Sequence, residues 1–303
     1  MKHDTAGDPI TGLKWTRKTT EKIANQLHLF GINVCPNTVG KLLKQLGYSL
    51  KVNRKDISTC SGPERDEQFQ HLASLRDSFI VQGDPVISVD TKKKELVGNF
   101  HNKGTTWEQK SVKVNDHDFR SLADGLAAPY GVYDIKANRG FVCVGTSSDT
   151  PEFAVSSIER WWLDEGRQHY PKKKKLLILA DAGGSNGCRP RAWKYNLQKM
   201  MCDRYGIEIT VCHFPAGASK WNPIEHRLFS EISKNWAGRP LISFDTIVNY
   251  IKTTSTSSGL KVTACLETKL FEKGVRISDS QMNQLNIEKK SLLPKWNYTI
   301  RPS

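Results

Sequence analysis

Leu176-Leu177-Ile178-Leu179-Ala180-Asp181-Ala182-Gly183-Gly184-Ser185-Asn186-Gly187 is an apolar run that delivers an aspartate into a glycine-rich loop. An apolar run bounded by turn residues predicts a strand buried on both faces. In open α/β sheets the chemistry collects just beyond the carboxyl ends of such strands, so Asp181 stands where a catalytic carboxylate would. An aspartate there can also do no more than cap the turn. This segment alone leaves both roles open.

Upstream, Pro85-Val86-Ile87-Ser88-Val89-Asp90 repeats the same form, a short apolar strand ending in an aspartate. Lys92, Lys93 and Lys94 then turn the chain, and residues 95–100 return as a second strand. Three lysines in a turn are by default a solvated face, and beside a metal-binding aspartate they can hold phosphates. Residues 101–129 are polar and show no period. Tyr130 to Ile135 and Phe141 to Thr146 flank Lys136-Ala137-Asn138-Arg139-Gly140, which is a hairpin signal. Thr150-Pro151-Glu152 opens a helix with Phe153, Val155, Ile158 and Trp162 inward, followed by the basic run Lys172 to Lys175 and the central strand. Arg191 to Tyr205 reads as a helix and Ile207 to Phe214 as the next strand. Strands in hairpins followed by helix, strand, helix, strand predict a mixed sheet with helices on its faces. The expected fold class is α/β, a ribonuclease H-like mixed sheet flanked by helices and preceded by a small all-α helix-turn-helix domain.

Beyond the last strand, Asn222 suits a helix N-cap, Pro223 the first helical position, and Ile224, Leu228, Ile232 and Trp236 an apolar face. Glu225 therefore has two readings. Asn-x-x-Glu is a capping box, in which the glutamate bonds back to the cap residue; the same position also puts a third acidic group at a helix start. The chain closes with a helix over Phe244, Ile247, Val248 and Ile251, a strand over 260–265, and a basic tail ending Lys295-Trp296-Asn297-Tyr298-Thr299-Ile300.

At the other end, Ile23, Ala24, Leu27 and Phe30 recur at helical spacing up to Gly31, and Pro36 opens a second helix carrying Val39, Leu42, Leu43 and Leu46 up to Gly47. Two short helices with a tight connection predict a helix-turn-helix whose second helix presents Asn37, Lys41 and Lys44 to a DNA major groove. Residues 1–60 carry ten basic and four acidic residues. Residues 51–65 fit a polar linker, and Phe69, Leu72, Ala73, Leu75, Phe79 and Ile80 form the stripe of a connector helix. The expected division is a helix-turn-helix domain over 1–60, linker and connector helix over 61–84, and a ribonuclease H-like catalytic domain with a C-terminal extension over 85–303.

The whole chain of 303 residues has 45 Lys+Arg against 31 Asp+Glu, a net charge of +14. That excess can neutralise a polyanion and makes nucleic acid the first partner to expect. No stretch approaches the roughly 20 apolar residues of a membrane-spanning helix, so no membrane partner is expected and the chain reads as soluble and intracellular. The seven cysteines are scattered without a C-x-x-C pair, which argues against a disulfide framework and against a zinc module. No Gly-Lys-Ser/Thr follows Gly183-Gly184, so a P-loop is excluded.

Asp90 ends one strand, Asp181 ends another 91 residues later, and Glu225 opens a helix 44 residues after that. Three carboxylates so placed in a strongly basic protein fit a two-metal phosphoryl-transfer site, in which two Mg2+ ions roughly 4 Å apart serve the attacking and leaving oxygens. The segments SVDTKKKELVGNF, YGVYDI, ADAGGSNG, VCHFPAGASKWNPIEHRLFS and WNYTI resemble the Rhodopirellula-type D-D-E transposases of bacterial insertion sequences, over essentially the whole chain. The resemblance implies that Asp90, Asp181 and Glu225 are the acidic triad and metal ligands, with Mg2+ or Mn2+ as cofactor, two ions in all. It also implies a ribonuclease H-like fold and a bacterial, cytoplasmic enzyme that cuts and joins element ends. Its partner is double-stranded DNA, both terminal inverted repeats and target, bound by a homodimer or higher oligomer. Lys92, Lys93, Lys94, Lys220 and Arg227 join Asn37, Lys41 and Lys44 as DNA-binding candidates.

The chain departs from that family at Ala182, where glycine is usual, at Pro223, where lysine is frequent, and in an amino terminus shorter than expected. The alternative function is a catalytically inactive, truncated transposase that acts only as a DNA-binding protein. A ribonuclease H-like nuclease is a third reading, disfavoured by a sequence-reading helix-turn-helix.

Overall fold

The computed structural model describes residues 5–7, 14–16, 18–51, 63–218 and 221–303. By its internal contacts the chain divides into two units, Met1–Ile57 and Ser58–Ser303. In the first, β1 (Thr5–Gly7) pairs antiparallel with β2 (Lys14–Thr16), and two ten-residue helices follow, α1 (Thr20–Leu29) and α2 (Pro36–Gln45). The Thr19 hydroxyl caps α1 by accepting from the Lys22 amide at 3.2 Å. Gly31 and Gly47 follow the two helices with φ of 78° and 82°, the left-handed stop that glycine adopts without a Cβ clash. Ile23, Ala24 and Val39 are buried, with Leu27, Val34 and Leu43 against them. Phe30, Leu42 and Leu46, expected in the same stripe, are 80%, 44% and 72% exposed. Phe30 and Leu46 occupy the C-cap positions, beyond the face along which the helices meet.

The second unit opens with α3 (Pro63–Gln82) and builds a nine-stranded mixed sheet. Its strands are β3 (Val86–Thr91), β4 (Glu95–Val97), β5 (Gly125–Asp134), β6 (Arg139–Gly145), β7 (Lys175–Ala180), β8 (Glu208–His213), β9 (Lys261–Glu267), β10 (Ile287–Lys289) and β11 (Asn297–Ile300). Their order is β10-β11-β8-β7-β3-β5-β6-β9, with β4 paired to β5. β3, β7 and β8 run parallel, whereas β5 is antiparallel to both β3 and β6. Three parallel strands beside a two-strand meander whose first strand is reversed make the ribonuclease H-like sheet.

Alternation along the central strands divides the core. Ile87, Val89, Tyr130, Val132, Leu176 and Ile178 meet α4 (Pro151–Trp161) and the helix α5 (191–205) on one face. On the other face, Val86, Leu177, Leu179 and Cys212 meet Leu72 and Phe79 of α3. The rest of that face is covered by α6 (223–235) and α7 (Phe244–Lys252) through Ile224, Leu228, Phe229, Ile232, Ile247 and Ile251. α3, expected as a connector, is thus packed along its length on the sheet. Gln68, fully buried on α3, donates to the His213 carbonyl and to Asn297, both at 2.9 Å.

Residues 295–300, expected as a basic tail, end as β11, which lies between β8 and β10 with every residue buried. Tyr298 and Ile300 enter the core, and the strand's backbone pairs with the edge of β8 that would otherwise be unsatisfied. Among the described residues no helix is long and apolar enough to cross a membrane.

Candidate active site

Parity along the strands brings the acidic side chains together. Asp90 shares a face of β3 with Val86 and Ser88, and Asp181, one residue past β7, shares the face of Leu177 and Leu179. The last registered pair of these parallel strands is Val89 with Ala180, so Asp90 and Asp181 emerge side by side. α6 crosses the same face. It comes close because Gly131, the partner of Asp90 on β5, has no side chain: a Cβ there would lie 2.6 Å from Phe229 and 2.9 Å from Ile224. A Cβ on Gly140 would collide with Leu228 in the same way. Two glycines on β5 and β6 therefore let α6 bring Glu225 over the strand ends.

The helix start is anchored to the strands. The Ser88 hydroxyl donates to Asn222 Oδ1 and accepts from the Ile224 amide at 3.3 Å, and Asn222 Nδ2 donates to Asp181 Oδ1 at 3.2 Å. Asn222, fully buried, thus spends its side chain on Ser88 and Asp181, not on the helix amides as a capping box requires.

Asp181 is held from behind as well. His213 is fully buried, and burial pushes its imidazole down to about 4, so it is neutral at physiological pH. Its Nδ1 is 2.9 Å from the Asp181 carbonyl oxygen and its Nε2 is 3.1 Å from the Tyr298 hydroxyl. A carbonyl only accepts, so Nδ1 carries the proton and Nε2 accepts from Tyr298. Trp193 Nε1 donates to the Tyr298 oxygen at 2.9 Å. One directed chain of donors runs from α5 through β11 to the backbone of Asp181. A lone histidine and a tail tyrosine offered no sequence signal for it.

All three carboxyls are displaced upward. Asp90 is pushed up to about 8, first by burial and then by the charge of Asp181, with smaller pushes from Glu225 and Asp149; the Thr91 amide, 2.7 Å from Asp90 Oδ1, opposes the shift. Burial raises Asp181, and the bond from Asn222 offsets part of this. Burial raises Glu225, with Asp181 adding to it and His226 and Lys92 pulling it back. Crowded carboxylates that resist ionising, all hard oxygen donors, fit a divalent cation, which would supply the missing positive charge. Among the described residues no three of His, Cys, Asp or Glu stand close enough to form a ready-made metal cage.

Lys92, expected on a solvated turn, is 8% exposed. Its Nζ is 2.9 Å from Glu95 and 4.5 Å from the centre of the Trp236 ring. Lys93 and Lys94 are exposed. A cavity of about 630 Å³ beside Glu225 is lined by Lys92, Lys93 and Lys103, and a second of about 630 Å³ beside Asp181 by Gly183, Gly184, Arg189 and Trp296. Arg227 is exposed and its charge acts on Tyr133. Asn37, Lys41 and Lys44 are exposed on α2 in the first unit. Lys220 lies outside the described residues.

Comparison with known proteins found no match among curated relatives. Among solved structures, the chain is similar to the Mos1 transposase paired-end complex with left transposon end, at 14% identity and a TM-score of 0.44, over 77% of this chain and 65% of that one. It is also similar to a pre-cleavage Mos1 transpososome, at 13% identity, a TM-score of 0.46, and 77% and 66% coverage. The Mos1 mariner paired end complex with Mn gives 13%, 0.45, 77% and 65%. The chain spans just under two thirds of the length of these proteins. The family described as Rhodopirellula transposase DDE domain matches residues 1–302, and the chain belongs to that family.

Proposed function

We propose that this protein is a DNA transposase of an insertion sequence, with Asp90, Asp181 and Glu225 holding divalent cations, Mg2+ or Mn2+, for strand cleavage at the element ends and strand transfer. The observation that carries the proposal is the convergence of the three carboxyls at the ends of β3 and β7 and the start of α6, with Asp90 pushed up to about 8 by its surroundings. When bound, two such ions activate the attacking oxygen and steady the leaving one. The chain's own residues orient the reaction. Asn222 and Ser88 fix Asp181 to the helix start, His213 fixes its backbone, and the cavities lined by Lys92, Lys93, Lys103 and Arg189 are suited to DNA phosphates.

The family membership supports this reading. We assign end recognition to residues 1–60 through Asn37, Lys41 and Lys44, phosphate contacts to Lys92, Lys93, Lys94, Lys220 and Arg227, and assembly on DNA to a homodimer or higher oligomer. The deciding experiment is Glu225→Gln. Glutamine can make the backbone bond of a capping box, where roughly 1 kcal/mol is at stake, but it removes a negative oxygen from a cation site. We expect Mn2+-dependent cleavage of a duplex carrying the inverted repeat to be nearly abolished, with end binding retained and the melting temperature little changed. Cleavage at the parent rate would leave Glu225 outside the site.

A further inference from the structure

The triad meets the strand ends from one face of the sheet. On the opposite face a second set of polar side chains reaches the same ends. Thr91, next to Asp90, donates from its hydroxyl to Asp149 Oδ1 at 3.2 Å and lies 3.4 Å from the Ser185 hydroxyl. Asp149 is 15% exposed, and its negative charge is felt both by Asp90 and by Tyr130, the cross-strand partner of Thr91. Tyr130 is fully buried, and its hydroxyl has no hydrogen-bond partner among the described residues. Asn186, 1% exposed and adjacent to Ser185, has neither amide atom paired.

Buried polar atoms without partners are rare, and in a polar pocket they mark an ordered water or an ion. Three carboxylates do not fill the shell of a divalent cation, and Mg2+ commonly keeps several of its waters, so a cation held at these strand ends would keep part of its water shell. Those waters need groups to bind to, and the unpaired hydroxyl and amide are such groups. The ion pair from Lys94 to Asp149 Oδ2 is long, at 3.7 Å, and its lysine is 42% exposed. Such a pair is a weak reason to hold a carboxylate here.

Resting on the metal-dependent reading above, we infer that Asp149 is a fourth carboxylate of the cation site, facing the ion's water shell from the α4 side of the sheet, with the Tyr130 hydroxyl and the Asn186 amide binding that water. Thr91 holds Asp149 in place, and Asp149 immediately precedes Thr150, the N-cap of α4.

The test is calorimetric titration of the full chain with Mn2+, in the absence of DNA, for the parent, Asp149→Asn, Tyr130→Phe and Asp90→Asn. Asp149→Asn keeps an oxygen that can accept from Thr91 and removes the charge, so affinity should fall about tenfold while the metal-free melting temperature holds. Tyr130→Phe should lower affinity severalfold while raising metal-free stability, because an unpaired buried hydroxyl is removed. A structural role for either residue would not move Mn2+ affinity. Parent-like affinity in Asp149→Asn, with binding lost in Asp90→Asn, overturns this inference and leaves the triad intact. Mn2+ binding that Asp90→Asn does not change overturns the triad and this inference together.

Discussion

The side-chain amide of Asn222 donates to the Asp181 carboxylate at 3.2 Å while its oxygen accepts from the Ser88 hydroxyl. One buried residue thus ties the start of α6 to both acidic strands, and the spacing between Glu225 and the two aspartates depends on it.

Asn222→Ala should therefore act on the site more than on the fold. It strands the buried Ser88 hydroxyl without its acceptor and removes the bond that keeps Asp181 from rising further, at a cost of about 1–3 kcal/mol. Cleavage should fall by far more than the lost stability explains, as read from melting curves and cleavage rates on the same preparations. A variant that melts lower but cleaves at the parent rate would remove Asn222 from the positioning role.

Gly131→Ala tests the approach of α6. The added methyl would press on Phe229 and Ile224 at 2.6 and 2.9 Å, and overpacking of this kind costs about 1–3 kcal/mol. Because Glu225 rides on the same helix, metal-dependent cleavage should drop with the melting temperature. An unchanged melt would mean that the helix yields freely and does not set the geometry.

The pH dependence of stability has a defined sign. The Asp90 carboxyl sits at about 8 in the fold against an ordinary 3.8, so through that interval the folded chain holds a proton that the unfolded chain has released. Stability therefore falls as pH rises through it. His213, pushed down to about 4 from 6.5, works in the opposite sense below 6.5, which leaves 6.5 to 8 as the window free of that imidazole. The metal-free protein should melt lower at the top of that window than at the bottom, and Asp90→Asn should flatten the difference. A melting temperature that rises across the window in the parent would contradict the raised carboxyl.

For the first unit, replacing Lys41 and Lys44 together by alanine should weaken binding to an end-bearing duplex and reduce the slope of log K against log salt by up to about 2, if each lysine meets one phosphate. Fluorescence anisotropy at several salt concentrations measures this. An unchanged slope would place α2 away from DNA.

The sequence by itself determined the local elements and the ends of the strands. The runs ending at Asp90 and Asp181, the hairpin around Asn138, and the Asn222-Pro223 helix start are short-range patterns of burial period and turn chemistry. The two runs and the helix start each placed a carboxylate at the end of its own element, and the quoted motifs identified the family. Tertiary structure decided what those patterns could not encode. Residues 295–300 look like a basic tail because their four-residue strand carries too little period to announce itself; pairing with β8, some 85 residues away along the chain, makes them a buried strand and brings Tyr298 to His213. Lys92 looks solvated until Glu95 and Trp236 fold around it. Gly131 looks like any strand glycine until α6 lies against it. In each case the cause is a contact between segments far apart in sequence, and which segments meet is set by the register of the sheet and the packing on its faces.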